Sequence, residues 1–191
     1  VAIVTSIHPT LVSRLWRYAC STAAVGIKVE MVCPWDVSRI ARPSGVRFHV
    51  FKLIRKRWQR PFLGPIRIYK KLVPLLREVD LVHFHDFDLL AWMIPIRLFR
   101  PVVYDVHENY HLEMLVRDYL PKPIRKPLSW AVWLVSFIGG GIIGNLVFVL
   151  PSQKRDYPNW CRTLVMRNLA SRDMGLSSDK DVQFGERTKA A

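Results

Sequence analysis

The sequence predicts an α/β domain, a Rossmann-like parallel sheet with helices on both faces, and three observations lead to it. Short runs rich in Val, Ile and Leu alternate with segments of helical spacing from Val1 to Arg167. Short apolar strands separated by helices are expected of a parallel sheet covered on both faces. Hydrophobic residues make up 50% of a 191-residue chain, enough for one well-buried core and too short a chain for two full α/β units.

The elements follow in order. Val1 to Thr5 reads as a buried strand. Leu11 to Val25 carries Leu11, Leu15, Trp16, Ala19 and Ala23 at helical spacing, with Gly26 as its C-terminal stop. Lys28 to Cys33 and Val46 to Phe51 are the second and third strands, separated by Pro34-Trp35-Asp36 and Pro43-Ser44-Gly45. Gly64-Pro65 opens a helix over Ile66 to Arg77, with the proline in its first turn. Asp80 to His85 is the fourth strand, and Phe87 to Arg100 a helix disturbed near Pro95. Pro101 to Val106 is the fifth strand and Ile124 to Ile138 a helix, which Gly139-Gly140-Gly141 and Gly144 should end. Leu146 to Leu150, a short helix over Ser152 to Trp160, and Arg162 to Arg167 complete the pattern. The domain is therefore expected over residues 1–168, with 169–191 a polar linker or cut end.

The net charge of +14 favours anionic partners: phosphorylated substrates, anionic lipid or nucleic acid. Cys20, Cys33 and Cys161 are scattered and odd in number, which points to reduced thiols and a cytoplasmic setting. The chain opens on an apolar run without Met or a signal-peptide pattern, so a trimmed chain is expected. The first strand–helix turn, Ser6-Ile7-His8-Pro9-Thr10, holds no glycine, which argues against a dinucleotide-binding domain. A phosphate-binding P-loop pattern is absent.

Ligands of parallel sheets bind at the carboxyl ends of the strands, where strand order reverses. That rule selects the turns Ser6 to Thr10, His85 to Asp88, His107 to His111 and Pro151 to Gln153. His107 ends the fifth strand, where it could donate a hydrogen bond, act as a base, or simply cap and pack. His83 and His85 share one strand face. With Asp86 or Asp88 they could begin a metal site, but the further ligands are missing, so no metal is expected and a polar pocket is the better reading.

Two stretches bear on surfaces. Lys52 to Arg77 is basic without an acid, with Arg55, Lys56, Arg57, Arg60, Lys70 and Lys71 set around Trp58 and Phe62. It suits an anionic membrane surface, a single-stranded nucleic-acid groove or a solvated basic face. Pro127 to Gln153 carries no charge, and its glycines favour helix-turn-strand over a membrane span, while Trp130, Trp133 and Phe137 leave a membrane-leaning helix open.

Taken in order, Val4-Thr5-Ser6-Ile7-His8-Pro9 with Gly26-Ile27-Lys28-Val29-Glu30-Met31-Val32, Asp80-Leu81-Val82-His83-Phe84-His85-Asp86-Phe87-Asp88-Leu89-Leu90 and Val103-Tyr104-Asp105-Val106-His107-Glu108 resemble family 4 glycosyltransferases of the GT-B fold. Leu164 to Asn168 is similar to the last strand of their N-terminal domain. The resemblance implies a retaining transferase acting in envelope polysaccharide synthesis, of which this chain is the N-terminal, acceptor-side half. His107 matches a histidine near the transferred sugar. Ser6 and His8 match the loop facing the donor phosphates, and His85, Asp86 and Glu108 fall on substrate-binding turns. No cofactor is expected in this half; the nucleotide-sugar donor would be held by a C-terminal domain or a partner chain, whose Glu-x7-Glu pair does not fit after Asn168. A sugar or lipid-linked acceptor and little activity from this half alone are expected, peripheral on the inner face of the membrane. A non-catalytic membrane-associated subunit recruiting a donor-binding partner is the alternative, and a nucleic-acid-binding domain ranks last.

Overall fold

The computed structural model describes residues 1–7, 13–34, 44–54, 56 and 59–167. Among them, seven strands form one sheet: β1 (Ala2–Val4), β2 (Val29–Cys33), β3 (Val46–Val50), β4 (Val82–Phe84), β5 (Val102–Val106), β6 (Asn145–Phe148) and β7 (Arg162–Val165). Their order is β3-β2-β1-β4-β5-β6-β7, and every pairing is parallel. The order reverses between β1 and β4, so the crevice expected of this architecture lies at the carboxyl ends of those two strands.

Among the described residues there are five α-helices, α1 (Ser13–Ala24), α2 (Arg60–Leu75), α3 (Leu90–Ile96), α4 (Tyr110–Val116) and α5 (Lys122–Ile143), of which all but α4 pack on the sheet. Strand alternation divides the core in two. Ile3, Val29, Met31, Cys33 and Val46 meet Leu15 and Ala19 of α1 on one face. On the other, Ala2, Val4, Val32, Val82, Phe84, Val102, Tyr104, Leu146 and Phe148 pack under Ile68 and Leu72 of α2, Leu90 and Met93 of α3 and Ile143 of α5. Side chains such as Ile68, Leu72 and Met93 are wholly buried, each removing enough apolar surface to contribute about 1.5–3 kcal/mol.

Four helix expectations need correction. α2 begins at Arg60, well before Gly64-Pro65. Pro61 stands in the first turn, where its missing N–H costs nothing. Pro65 lies one turn in and forfeits a single intrahelical bond, and Pro74 falls in the last turn. The predicted helix from Phe87 to Arg100 divides into a 3-10 turn, Phe87–Leu89, and α3, which closes one residue after Pro95.

α5 is the largest departure. It runs through the three consecutive glycines and stops only at Gly144, whose φ of 77° is left-handed. Packing outweighs the poor helix propensity of glycine here. A Cβ on Gly139 would fall 2.8 Å from Leu90 Cγ, one on Gly140 2.5 Å from Tyr157 Cδ1, and one on Gly141 3.0 Å from Pro158 Cγ. The glycines let α3 and the segment after β6 press against the α5 backbone. α5 is long and apolar enough to cross a membrane by composition. One face of it, through Ser129, Ser136, Gly139, Gly140 and Ile143, is nevertheless buried in the domain.

α4 is not legible in the sequence as a helix. None of its residues is buried, so it shows no core-facing stripe and is held by packing along α5. The expected helix over Ser152 to Trp160 is a 3-10 turn, Pro151–Asp156. It is tied by Gln153, whose Oε1 accepts the Val149 and Leu150 N–H groups at 2.9 Å.

Candidate functional site

The carboxyl ends of β1 and β4 are bound to each other by carboxylates. Asp86 follows β4 and accepts the Thr5 hydroxyl at 2.7 Å and the Ser6 N–H at 2.6 Å. The Ser6 hydroxyl donates to Asp88, 2.8 Å from Oδ1 and 2.9 Å from Oδ2. These bonds fix the start of the turn after β1, braced by the Ser6 N–H and hydroxyl. Asp88 is half-buried beside Asp86, and desolvation and that neighbouring negative charge raise its carboxyl to about 6, against the opposing hydrogen bond from Ser6.

Behind the rim lies a second cluster, on the α1 face of the sheet. Arg14 of α1 grips Asp105 of β5 with two bonds, Nη2 to Oδ1 at 2.7 Å and Nε to Oδ2 at 3.1 Å. His85 Nδ1 stands 3.1 Å from the same Oδ2, the separation of a hydrogen bond given by the imidazole. The His83 and His85 rings stack at 4.6 Å, and the Tyr18 ring edges against His83 at 5.3 Å. Burial would raise the Asp105 carboxyl. The hydrogen bond from His85, with the neighbouring imidazoles and Arg14, more than offsets this and holds it at about 2. His83 is pushed down to about 3, by burial and by His85, and is neutral near pH 7.

His83, His85 and Asp105 could be read as a metal triad, their donor atoms lying within 4.8 Å of one another. The donor set fits a dication poorly. Arg14 already occupies both carboxylate oxygens and neutralises the only acid, so a metal there would add charge in a buried site without compensation. Nε2 of both histidines has no hydrogen-bond partner among the described residues.

In front of the rim opens a cleft of about 590 Å³. Asp86, Asp88 and Glu108 supply acid, Arg60 and Arg117 supply positive charge, and Phe87, Tyr110, Met114, Tyr119 and Val132 form apolar walls. Phe87 and Tyr110 stack at 5.1 Å. Arg60 is steered by a bond from Nε to the Ile54 carbonyl at 2.9 Å. Arg117 is paired with Glu113 at 2.6 Å, one helical turn away.

The residues singled out in the sequence divide as follows. Asp86 and Glu108 line the cleft. His107 stands on the same rim, its ring 6.3 Å from both Tyr110 and His85 and its Nδ1 3.4 Å from the Asp105 carbonyl. His85 is only 1% exposed and supports Asp105 from behind. Of the basic stretch, Arg60 turns into the cleft, and Lys56, Lys70 and Lys71 are exposed. His8, Arg55, Arg57 and Trp58 lie outside the described residues.

The sequence reading passed over Arg14 and Asp105 as a pair, Tyr110 and Arg117, and weighed Asp88 only as a metal ligand. One signal was available. Asp105 interrupts the apolar run Val102-Val103-Tyr104-Asp105-Val106, and an acid inside a buried strand demands a partner.

No curated protein gives a significant match to the chain. A family model does, and it covers the carboxylate-bearing turns after β4 and β5, α4 and most of α5. The model described as Glycosyltransferase Family 4 matches residues 12–140, and the chain belongs to that family.

Proposed function

We propose that this domain forms the acceptor side of a retaining, nucleotide-sugar-dependent glycosyltransferase. One observation carries the reading: His107, Glu108, Tyr110 and the Asp86–Asp88 pair converge on a single cleft region at the switch point of the sheet. The cleft suits a hydroxyl-bearing acceptor. Carboxylates accept hydrogen bonds from sugar hydroxyls, and the Phe87–Tyr110 stack offers an apolar platform for a ring face. Arg60 and Arg117 would face a phosphate on the acceptor.

His107 is the residue assigned to the reacting centre. It stands beside the cleft across the Tyr110 ring, where an imidazole can stabilise charge developing on the transferred sugar or hold a hydroxyl in place. The nucleotide-sugar would be held by a second Rossmann-like unit, in a longer polypeptide or a separate chain. That unit would supply the groups that offset charge on the leaving diphosphate, so transfer by this domain alone is expected to be slight. Envelope polysaccharide synthesis at the cytoplasmic face of the membrane is the setting we assign.

The test is His107→Ala in the assembled transferase. Turnover is expected to fall by about 10²-fold or more with the thermal midpoint nearly unchanged. Turnover within about twofold of the parent would remove His107 from the reaction.

A further inference from the structure

α5 carries an apolar face that the domain leaves uncovered. Ile124, Ala131, Val135, Ile138 and Ile142 recur at intervals of three, four and seven residues and so lie on one stripe. Ile124, Val135, Ile138 and Ile142 are 50%, 49%, 52% and 41% exposed. The stripe is opposed to the buried side at Ser129, Ser136, Gly140 and Ile143. The outer face of a helix on a water-soluble domain is normally charged, yet α5 has no charged residue from Pro127 to its end. The patch widens beyond the stripe. Trp130 is 63% exposed on the same helix, and Trp160, 72% exposed, sits beside Gly141, toward whose carbonyl its indole N–H points at 3.4 Å.

Charge brackets this patch at both ends. Lys122 and Lys126 are exposed and Arg125 half-buried at the start of α5. Lys154 and Arg155 are exposed on the 3-10 turn that packs against its far end. An uncharged stripe with basic ends and tryptophans at its margins matches a helix lying in the plane of an anionic bilayer surface, with aliphatic side chains among the acyl chains and lysines at the headgroups. We infer that α5 seats this domain on an anionic membrane, lying along the surface instead of crossing it.

The seat also orients the cleft. Val132 of α5 and Met114 of α4 line it, as does Tyr119 between the two helices, so its mouth would meet the headgroup layer. Resting on the transferase reading, the acceptor is then lipid-borne, with Arg60 and Arg117 placed for its phosphate. The membrane seat itself does not depend on that reading.

The test measures binding, not transfer. The chain is sedimented with 100 nm vesicles of phosphatidylcholine containing about 25% phosphatidylglycerol, and with phosphatidylcholine alone, at low and high salt. Binding is expected to the anionic vesicles and to weaken with salt. Val135→Asp combined with Ile138→Asp should lower the partition coefficient at least about tenfold, with circular dichroism unchanged because both side chains face outward. Lys70→Gln with Lys71→Gln on α2 should leave it nearly unchanged. Bromolipid quenching in the parent chain, reduced in Trp130→Phe, reports insertion without relying on the aspartate variants. Equal partition of the parent and aspartate variants would overturn the inference. So would a parent chain that ignores vesicles and dimerises through this face, losing the dimer with Val135→Asp and Ile138→Asp. Either result leaves the His107 test of the transferase reading untouched.

Discussion

Asp105→Asn tests whether the ion pair behind the rim holds the domain together. The substitution keeps shape and one acceptor oxygen but removes the charge opposite Arg14, whose side chain is 11% exposed while that of Asp105 is wholly buried. Two routes give the magnitude. Breaking one partner of a buried pair strands the other charge and costs about 3–5 kcal/mol. Lowering the Asp105 carboxyl from 3.8 to about 2 corresponds to about 2 kcal/mol of stabilisation in neutral solution. A loss of about 2–5 kcal/mol is therefore expected near pH 7, a large fraction of the stability of an ordinary domain.

The sign with pH follows from the direction of the shift. A carboxyl lowered by folding stabilises the folded state above its unfolded value, and the contribution disappears as pH falls through the folded value. The gap between parent and variant should be full above about pH 5 and shrink between pH 4 and about pH 2. Urea unfolding followed by circular dichroism measures it, with Arg14→Met and the double variant completing a cycle. The double variant should recover part of the loss. A single-variant cost below about 1 kcal/mol at pH 7, or strict additivity in the cycle, would refute the claim that this pair fixes β5 to α1.

Other outcomes follow from the same geometry. Gly140→Ala should destabilise by about 1–3 kcal/mol because its Cβ meets the Tyr157 ring, read as a lower urea midpoint. Gly64→Ala on α2, with nothing within 4 Å, should raise stability by about 0.5–1 kcal/mol, and a loss would mean the helix backbone there is not as described. Asp88 is raised by folding, so its contribution is present below its unfolded value and declines as pH rises from about 4 through about 6. Asp88→Asn should flatten that decline, and a carboxyl 13C titration of Asp88 with a midpoint near 4 would contradict the burial argued for it.

Periodicity was enough to place all seven strands and the sheet type, because short apolar strands alternating with helices fold as parallel strands joined by crossovers. The rim was legible for the same reason: once the strands are parallel, the residues that follow them share one edge, and His107, Asp86 and Glu108 were found there by counting, whereas His85 turns behind it onto Asp105. The cleft was harder. Tyr110 and Arg117 belong to α4, a helix with no buried residue, and composition cannot reveal a helix that exists by leaning on another. Asp88 looked like any polar loop residue, since its raised carboxyl arises from desolvation in the fold and from nearby Asp86, which together outweigh the Ser6 hydroxyl that the fold brings to it.

By itself, the sequence determined the class of fold, the rim that carries the site and the family resemblance, all of which depend on residue type and on spacing within a few positions. Tertiary structure alone decided that Arg14 and Asp105, ninety-one positions apart, neutralise each other, and that His85 braces this pair from behind the rim. It also decided that three glycines continue a helix. Glycine is a poor helix former in isolation, but here close packing against Leu90, Tyr157 and Pro158 requires its missing side chain, and that demand is written in the neighbours rather than in the run itself.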